Sequence, residues 1–338
     1  MVSNLIRKLS LYSDHLLSRN KYLSRLNSRI LTFKATHSRP SKRVIDASTD
    51  NVAEIDCRIP EIDAADFSVE FLKKSMRENG CVIVRNFFDE KEVNTMKSYI
   101  DYSFAVRGNG RLSRFLSKQC DLNPVLEETN EIIKEMQKSY PTYANTVSNG
   151  SKLSRFLGRG ESVLTVRTPN IVDKLLNLFE KKSMKAILTS YFGNEPCVSV
   201  FKWTMRRSRP PAQPIDFHQD GAFMGEEIAS LNCWIPLSNC GPGYDVHGLD
   251  IVPKRLMNTF KTGSGVLDWT VAEQAIVDEY SEDVIKAPTF REGDLLFFDH
   301  LLLHRTQSIA NSEQPRYAIE TWFFDSVNFP KNQIPVNW

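Results

Sequence analysis

The second half of the chain consists of short β-rich runs separated by turns, and this pattern constrains the fold most strongly. The runs follow Gly193 and are CVSVFKWTMRR, IDFHQD, SLNCWIPLS, GLDIVP, GDLLFFD, HRTQSI and RYAIETWFF. Many short strands late in a chain, after a helical first half, are typical of an antiparallel barrel or sandwich with a helical layer. The sequence therefore predicts an α+β fold with a mainly β core over residues 195–325.

The first half is predicted to supply helices and one early strand. Residues 67–80, FSVEFLKKSMRENG, have the pattern of a helix that Gly80 ends, and residues 81–88, CVIVRNFF, form an apolar β-rich strand. Asp89 can cap the next helix, and residues 171–193 form a further helix that ends at Gly193. The polar stretch at 106–165 is an insertion for which the sequence indicates no role.

Residues 1–45 differ from the rest of the chain in charge. They hold ten Lys or Arg residues and one acidic residue, Asp14, so they carry +9 while the remainder carries −7. Apolar residues recur at helical spacing within 1–34, which predicts a basic amphipathic helix and linker ahead of a domain at 46–338. Such a helix fits docking on the domain or a partner, contact with a membrane surface, or a transit peptide of 40 residues. A transit peptide would make the protein mitochondrial instead of cytoplasmic.

The charge and the cysteine content of the chain argue against several classes of protein. The net charge is only +2, so nothing global indicates nucleic-acid binding. The six cysteines are dispersed without a C-x-x-C pair, as expected for reduced core thiols of an intracellular protein. No apolar run approaches the roughly 18–20 residues that a membrane-spanning helix needs.

The motif FHQDG carries the first chemical signal. It places His218 and Asp220 two residues apart, and alternate residues of a strand face the same side. With a histidine from another strand, this pair would give two histidines and one carboxylate on one face of a metal, the arrangement of non-haem Fe(II) oxygenases. The H-x-D spacing alone is common, and on a surface strand both side chains would simply be solvated.

The last two β-rich runs add candidates for the rest of the site. REGDLLFFDHLLLHRTQS offers His300 and His304 as the third ligand. Arg316 lies twelve residues after His304, in an apolar and aromatic strand where a buried guanidinium needs an anion. Arg316 either points outward to solvent or receives the distal carboxylate of 2-oxoglutarate in a forked pair.

Taken together, these motifs resemble the phytanoyl-CoA dioxygenase (PhyH-like) family of Fe(II)/2-oxoglutarate oxygenases. The resemblance rests on H-x-D, the later G-D…F…H-R-T and the Arg twelve residues beyond it. ENGCVIVRNFFDEKEVNTMK is similar to the strand, turn and helix that open these enzymes, and NCWIPLSNCGPG and GLDIVPKR are similar to their middle strands. The resemblance covers roughly residues 65–325, apart from most of 106–165.

The resemblance implies a double-stranded β-helix (a jelly-roll barrel) flanked by helices, and a role for each matching residue. The iron ligands that it implies are His218, Asp220 and His304, because the family spacing favours His304 over His300. The residues that it implies for 2-oxoglutarate are Arg316, Thr306 and Trp234. It further implies Fe(II), 2-oxoglutarate and O2, and a small organic substrate. Related halogenases lack the carboxylate, so Asp220 favours hydroxylation.

The chain also departs from the family, and other functions fit part of the pattern. Val252, Pro253, Lys254 and Arg255 stand where many members have a P-G-S-H turn, and His247 lies in the loop before them. One alternative is a non-catalytic binding protein of the same fold. Another is a cupin-type metalloenzyme without 2-oxoglutarate, in which Arg316 would have no anion to meet.

The sequence does not fix the substrate. The basic residues around the first strand of the predicted barrel favour an anionic substrate or mark a solvated strand edge. These residues are Lys202, Arg206, Arg207 and Arg209.

Overall fold

The computed structural model describes residues 57–106, 162–165, 169–199, 203–208, 216–226, 228–260, 269–307, 309, 314–328 and 335–338. The predicted N-terminal helix and most of the predicted insertion lie outside these residues, so the division of the chain at residue 45 stays a prediction. None of the helices in these ranges combines the length and the apolar character that crossing a membrane requires.

The first elements confirm the predicted order of helix, strand and helix. Strand β1 (Glu61–Asp63) precedes helix α1 (Val69–Glu78), strand β2 (Cys81–Arg85) and helix α2 (Glu90–Val106). Asp89 and Glu92 form a capping box, in which the Glu92 N–H donates to Asp89 Oδ1 at 2.8 Å and the Asp89 N–H donates to Glu92 Oε2 at 3.0 Å. The predicted cap at Asp89 is therefore present.

The helix predicted over 171–193 is two helices, so that prediction was wrong in one respect. They are α3 (Pro169–Lys181) and α4 (Met184–Phe192). The break lies at Ser183, which has a positive φ of 56° and whose N–H donates to Glu180 O instead of continuing the helical pattern. Gly193 ends α4 as predicted, with φ at 77° and its N–H bonded to Thr189 O.

The larger of the two sheets packs against these helices. Besides β1 and β2 it contains β3 (Ser162–Leu164), β4 (Pro196–Ser199), β5 (Thr204–Ser208), β7 (Ser230–Pro236), β10 (Leu295–Phe298), β12 (Arg316–Asp325) and β13 (Pro335–Asn337). The order is β1-β2-β10-β7-β12-β4-β13, and β5 also pairs with β12 and β3 with β5. Strand β12 thus lies near the middle of this sheet.

The smaller sheet contains four strands in the order β8, β11, β6 and β9. They are β8 (Leu249–Ile251), β11 (His304–Thr306), β6 (Phe217–His218) and β9 (Thr270–Val271). The short helix α5 (Gly221–Met224) follows β6, and α6 (Glu273–Tyr280) and a 3-10 helix (Glu282–Val284) follow β9.

Successive strands of the core alternate between the two sheets. Strands β5, β7, β10 and β12 belong to the larger sheet, while β6, β8 with β9, and β11, which separate them along the chain, belong to the smaller one. Their pairings within each sheet are antiparallel. This alternation is the jelly-roll topology of a double-stranded β-helix, so the predicted fold class is confirmed.

The larger sheet is buried on both faces. Alternate residues, among them Ile235, Phe297 and Phe323, pack against the helices in the largest apolar cluster. Their neighbours along the strands, among them Trp234 and Leu296, point between the sheets and pack with Ile251 of the smaller sheet. We call these two sides the helix face and the interior face, and the candidate site lies on the interior face.

Candidate metal centre

Three predicted ligands converge between the sheets. His218 on β6 and His304 on β11 are direct antiparallel partners, and their ring centroids are 4.3 Å apart. One ligand atom from each of His218, Asp220 and His304 can be chosen so that all three lie within 4.8 Å of one another. Two imidazole nitrogens and a carboxylate oxygen at this spacing can hold one metal ion.

Asp220 reaches this point by a turn and not by strand alternation, in contrast to the sequence prediction. Strand β6 ends at His218, and Asp220 is the N-cap residue of α5. Its Oδ1 lies 3.8 Å from His218 Nε2. Gly221 holds this turn close to the chain before β11, because its N–H donates to His300 O at 2.7 Å and an added Cβ would lie 2.7 Å from Leu301 Cδ2.

Both histidines are oriented in the same way. Nδ1 of His218 lies 3.0 Å from Asp216 O, and Nδ1 of His304 lies 3.0 Å from Leu302 O, so each ring contacts the carbonyl two residues earlier. A carbonyl only accepts, so we assign the proton to Nδ1 in each ring. The lone pair of each Nε2 is then available to a metal, and backbone contacts of this kind commonly fix ligating histidines.

Burial keeps His218 neutral. Removal from water, and then the nearby His304, lower the pKa of His218 to about 3. A metal competes with a proton for the imidazole lone pair. His218 therefore needs no deprotonation before it binds a metal near neutral pH.

Two other histidines lie nearby but outside the group of three. His300 is buried, its Nε2 lies 3.0 Å from Glu226 O, and its ring packs beside Gly221. Nδ1 of His247 lies 2.8 Å from Gln307 O. Within the described residues, the structure thus places His304 in the cluster and gives His300 and His247 contacts with the backbone.

Arg316 is a buried cation on the interior face. It is 5% exposed, and its Nη1 donates to His247 O and Gly248 O, each at 3.3 Å. Its Nε finds no hydrogen-bond partner, and no carboxylate among the described residues forms an ion pair with it. Burial, and then the charge of Arg206, lower the pKa of Arg316 to about 10, so it stays charged at neutral pH. A buried guanidinium with an unused donor indicates a place for an anion.

The other two residues predicted for 2-oxoglutarate also face the space between the sheets, Trp234 from the larger sheet and Thr306 from the smaller one. The guanidinium carbon of Arg316 lies 6.0 Å from the ring centroid of Trp234. Thr306 lies two residues after His304 on β11 and is opposite Leu249, which packs in the interior cluster. Trp234, Thr306 and Arg316 therefore all point between the two sheets.

Sequence reasoning missed an ion pair in this interior. Glu320 lies opposite Trp234, and Arg206 lies opposite Ala318, so both are on the interior face. Their Nη2 and Oε2 atoms are 2.6 Å apart, and the side chains are 19% and 20% exposed. The two-residue spacing from Arg316 through Ala318 to Glu320 was the signal that could have identified it.

This ion pair also bears on the prediction that the basic residues near β5 favour an anionic substrate. Arg206 is paired with Glu320, and Arg207 on the helix face is paired with Asp101 at 2.9 Å. The charges of these two arginines are thus compensated inside the protein. They give no support to an anionic substrate.

Aromatic side chains form a wall beside the cluster. The ring of Trp269 lies 5.2 Å from that of His218 and 5.5 Å from that of Phe223, centroid to centroid. Phe223 also lies 6.2 Å from Trp322. Trp269 and Phe223 are only partly buried, so they offer an apolar surface next to the three candidate ligands.

No protein-family model matches the sequence, and no curated protein sequence matches it. Among solved structures it is similar to the epimerase SnoN in complex with Fe3+, alpha-ketoglutarate and nogalamycin RO, at 18% identity and a TM-score of 0.47, over 78% of this chain and 86% of that one. It is also similar to the non-haem alpha-ketoglutarate-dependent carbocyclase SnoK from nogalamycin biosynthesis. The identity is 15% and the TM-score 0.48, over 79% of this chain and 87% of that one. A third similar structure is EctD from S. alaskensis with 2-oxoglutarate and 5-hydroxyectoine. The identity is 14% and the TM-score 0.48, over 87% of this chain and 85% of that one. All three TM-scores are below 0.5.

Proposed function

We propose that this protein is an Fe(II)- and 2-oxoglutarate-dependent dioxygenase that hydroxylates a small organic substrate. One observation carries the proposal: a cluster of two histidines and one carboxylate shares the interior of a jelly-roll barrel with a buried arginine that has no anionic partner among the described residues. The metal ligands alone fit many reactions. Arg316 adds the requirement for a negatively charged co-substrate.

The donor set fits Fe(II). His218 and His304 offer neutral nitrogens, and Asp220 offers one oxygen, all on one side of a common point. Such a facial set leaves further coordination positions open, which is typical of non-haem Fe(II) oxygenases. When bound, Fe(II) would supply the redox chemistry that couples O2 to the oxidation of 2-oxoglutarate and substrate.

The chain's own residues would bind and orient 2-oxoglutarate. Arg316 would hold the distal carboxylate in a forked pair through the donors that its backbone contacts leave unused. The Thr306 hydroxyl would donate to the same carboxylate, and the Trp234 ring would pack along the carbon chain. The buried ring of Phe298, 4.7 Å from that of His304, helps to exclude water from the metal's surroundings.

The partly exposed rings of Trp269 and Phe223 suit the substrate side of the metal. They lie on the His218 side of the cluster, whereas Arg316 and Trp234 lie on the larger sheet. Substrate and co-substrate would then approach the metal along different walls of the barrel. The presence of Asp220 as a ligand leaves no place for a halide at that position, which favours hydroxylation over halogenation.

The test is consumption of 2-oxoglutarate by the purified full chain. With Fe(II) and O2, the protein should release succinate, and Asp220→Ala should abolish this release. Asp245→Ala is a matched control, because Asp245 is an exposed carboxylate in the loop before β8. Undiminished succinate release by Asp220→Ala would overturn the ligand assignment. Binding of Fe(II) without any consumption of 2-oxoglutarate would favour a non-catalytic binding protein or a metalloenzyme of another class.

A further inference from the structure

The amide of Asn232 is a buried polar group that the proposed function does not yet use. Asn232 lies on β7 opposite Trp322, is 1% exposed, and belongs to the interior face. Its Nδ2 donates to Asp220 Oδ2 at 3.0 Å. Its Oδ1 is buried and finds no hydrogen-bond partner among the described residues. If the side chain at this position only filled space, an apolar one would stabilise the fold more than a half-satisfied amide does.

The two oxygens of Asp220 have different neighbours. Oδ2 accepts the hydrogen bond from Asn232, whereas Oδ1 lies 3.8 Å from His218 Nε2. An ionised carboxylate only accepts hydrogen bonds, so the amide nitrogen of Asn232, and not its oxygen, must face Oδ2. This bond fixes the rotation of the carboxylate and leaves Oδ1 on the side of the imidazoles.

Helix α5 does not orient the Asp220 carboxylate through a capping hydrogen bond. Asp220 is the N-cap residue of α5, but its side chain makes no capping hydrogen bond to that helix. The turn that carries Asp220 extends from the smaller sheet, while Asn232 lies in the middle of a seven-residue strand of the larger sheet. The contact therefore joins the two sheets at the metal ligands.

We propose that Asn232 is a positioning residue that presents Asp220 to the metal through a single oxygen, Oδ1. This inference rests on the proposed function, since it assumes that His218, Asp220 and His304 hold a metal. Without the amide, the carboxylate can rotate and offer either oxygen or both, and the site loses its preformed geometry. Partners of metal ligands typically change metal affinity by about 10–100-fold when they are removed.

The experiment measures Mn(II) binding to the full chain by isothermal titration calorimetry. Mn(II) accepts the same nitrogen and oxygen ligands as Fe(II). Asn232→Leu keeps the branched shape of the side chain and removes the amide, whereas Asn232→Ala removes the amide together with the branched end of the side chain. We expect both variants to bind Mn(II) about 10–100-fold more weakly than the wild type. The melting temperature of Asn232→Leu should stay within about 4 °C, because loss of the donor to Asp220 and removal of the unpaired Oδ1 oppose each other.

The matched control is Thr321→Val. Thr321 lies on the neighbouring strand β12, is fully buried, and its Oγ1 also finds no hydrogen-bond partner among the described residues, but it belongs to the helix face. This change also replaces a buried polar side chain by an apolar one of similar size. It should leave Mn(II) affinity unchanged.

The outcomes separate this inference from the proposed function. If the wild type itself does not bind Mn(II), the metal site and the role of Asn232 are both wrong. If the wild type binds and Asn232→Leu binds equally well, only the positioning role is overturned. If Asn232→Ala binds Mn(II) weakly but Asn232→Leu binds it as the wild type does, packing and not the amide supports the site. That result also overturns the positioning role. If Asn232→Leu does not fold, unchanged Mn(II) affinity in Asn232→Ala overturns the positioning role.

Discussion

The two faces of the larger sheet use the same strands for different purposes. Along β12, Ile319 and Phe323 pack against helices, whereas Arg316 and Glu320 point between the sheets. The helix face is mainly apolar and aromatic, with Arg207 and Thr321 as polar exceptions, while the interior face holds a buried cation, the Arg206–Glu320 ion pair and the neighbours of three candidate metal ligands. Neighbouring residues of one strand thus contribute either to stability or to chemistry, depending on the side to which they point.

The largest effect on stability should come from the helix face. Phe323 is fully buried, and its ring lies 5.4 Å from that of Trp338 and 6.2 Å from that of Phe179. Phe323→Ala should lower the free energy of unfolding by about 3–5 kcal/mol, because it removes buried apolar surface and leaves a cavity. Urea unfolding followed by circular dichroism measures this. Affinity for Mn(II) at low temperature should be unchanged, and a large loss there would show that the two faces are not independent.

On the interior face, substitution of Arg316 should change the binding of 2-oxoglutarate more than the stability of the fold. Arg316→Leu should weaken 2-oxoglutarate binding to the Mn(II)-loaded protein by about 2–5 kcal/mol, because the distal carboxylate would lose its buried partner. Its stability should change little or rise, since a desolvated charge is replaced by an apolar group. Calorimetric titration with 2-oxoglutarate and urea unfolding together test this.

The control for Arg316 lies on the smaller sheet. Arg305 on β11 is partly exposed and paired with Asp250 at 2.7 Å, on the side of that strand away from His304. Arg305→Leu removes the same charge without touching the interior. If it weakens 2-oxoglutarate binding as much as Arg316→Leu does, general electrostatics and not a specific site would explain the effect.

The smallest effect should come from the interior ion pair. Glu320→Gln removes the charge that faces Arg206 but keeps an oxygen that can accept from Trp322 Nε1, which lies 3.3 Å from Glu320 Oε1. Both ionic side chains are about one-fifth exposed. The expected loss of unfolding free energy is therefore about 1 kcal/mol or less. A loss as large as that of Phe323→Ala would mean that polar interior groups stabilise the barrel as strongly as the helix face does.

The sequence predicted the fold well because the strand signals are local. Turn residues separate the β-rich runs, and the alternation along RYAIETWFF already divides the residues of β12 between two faces. The capping residue Asp89 and the terminating Gly193 were also readable from their neighbours. The break at Ser183 was not, because KKSMK has no helix-breaking residue and the positive φ of Ser183 depends on how α3 and α4 pack.

The candidate site was only partly predictable. The spacing of His218 and Asp220 indicated a shared metal, but for the wrong local reason, since a turn and not a strand places Asp220. Asn232 gave no recognisable motif, and Glu320 was indicated only by its two-residue spacing from Ala318 and Arg316. The partners of these two residues lie 12 and 114 positions away in the chain. The resemblance to the phytanoyl-CoA dioxygenase family remains a prediction.

The sequence by itself determined the residue types and the two-residue alternation that turns polar groups toward the interior of the barrel. The tertiary structure decided which histidine joins His218, because the pairing of β11 with β6 places His304, and not His300, directly opposite it. It also decided that Arg316 is buried without a carboxylate among the described residues. Both outcomes depend on contacts between strands that are distant in the chain. A periodic pattern within one strand determines which side chains face the interior, but it does not identify the partner strand.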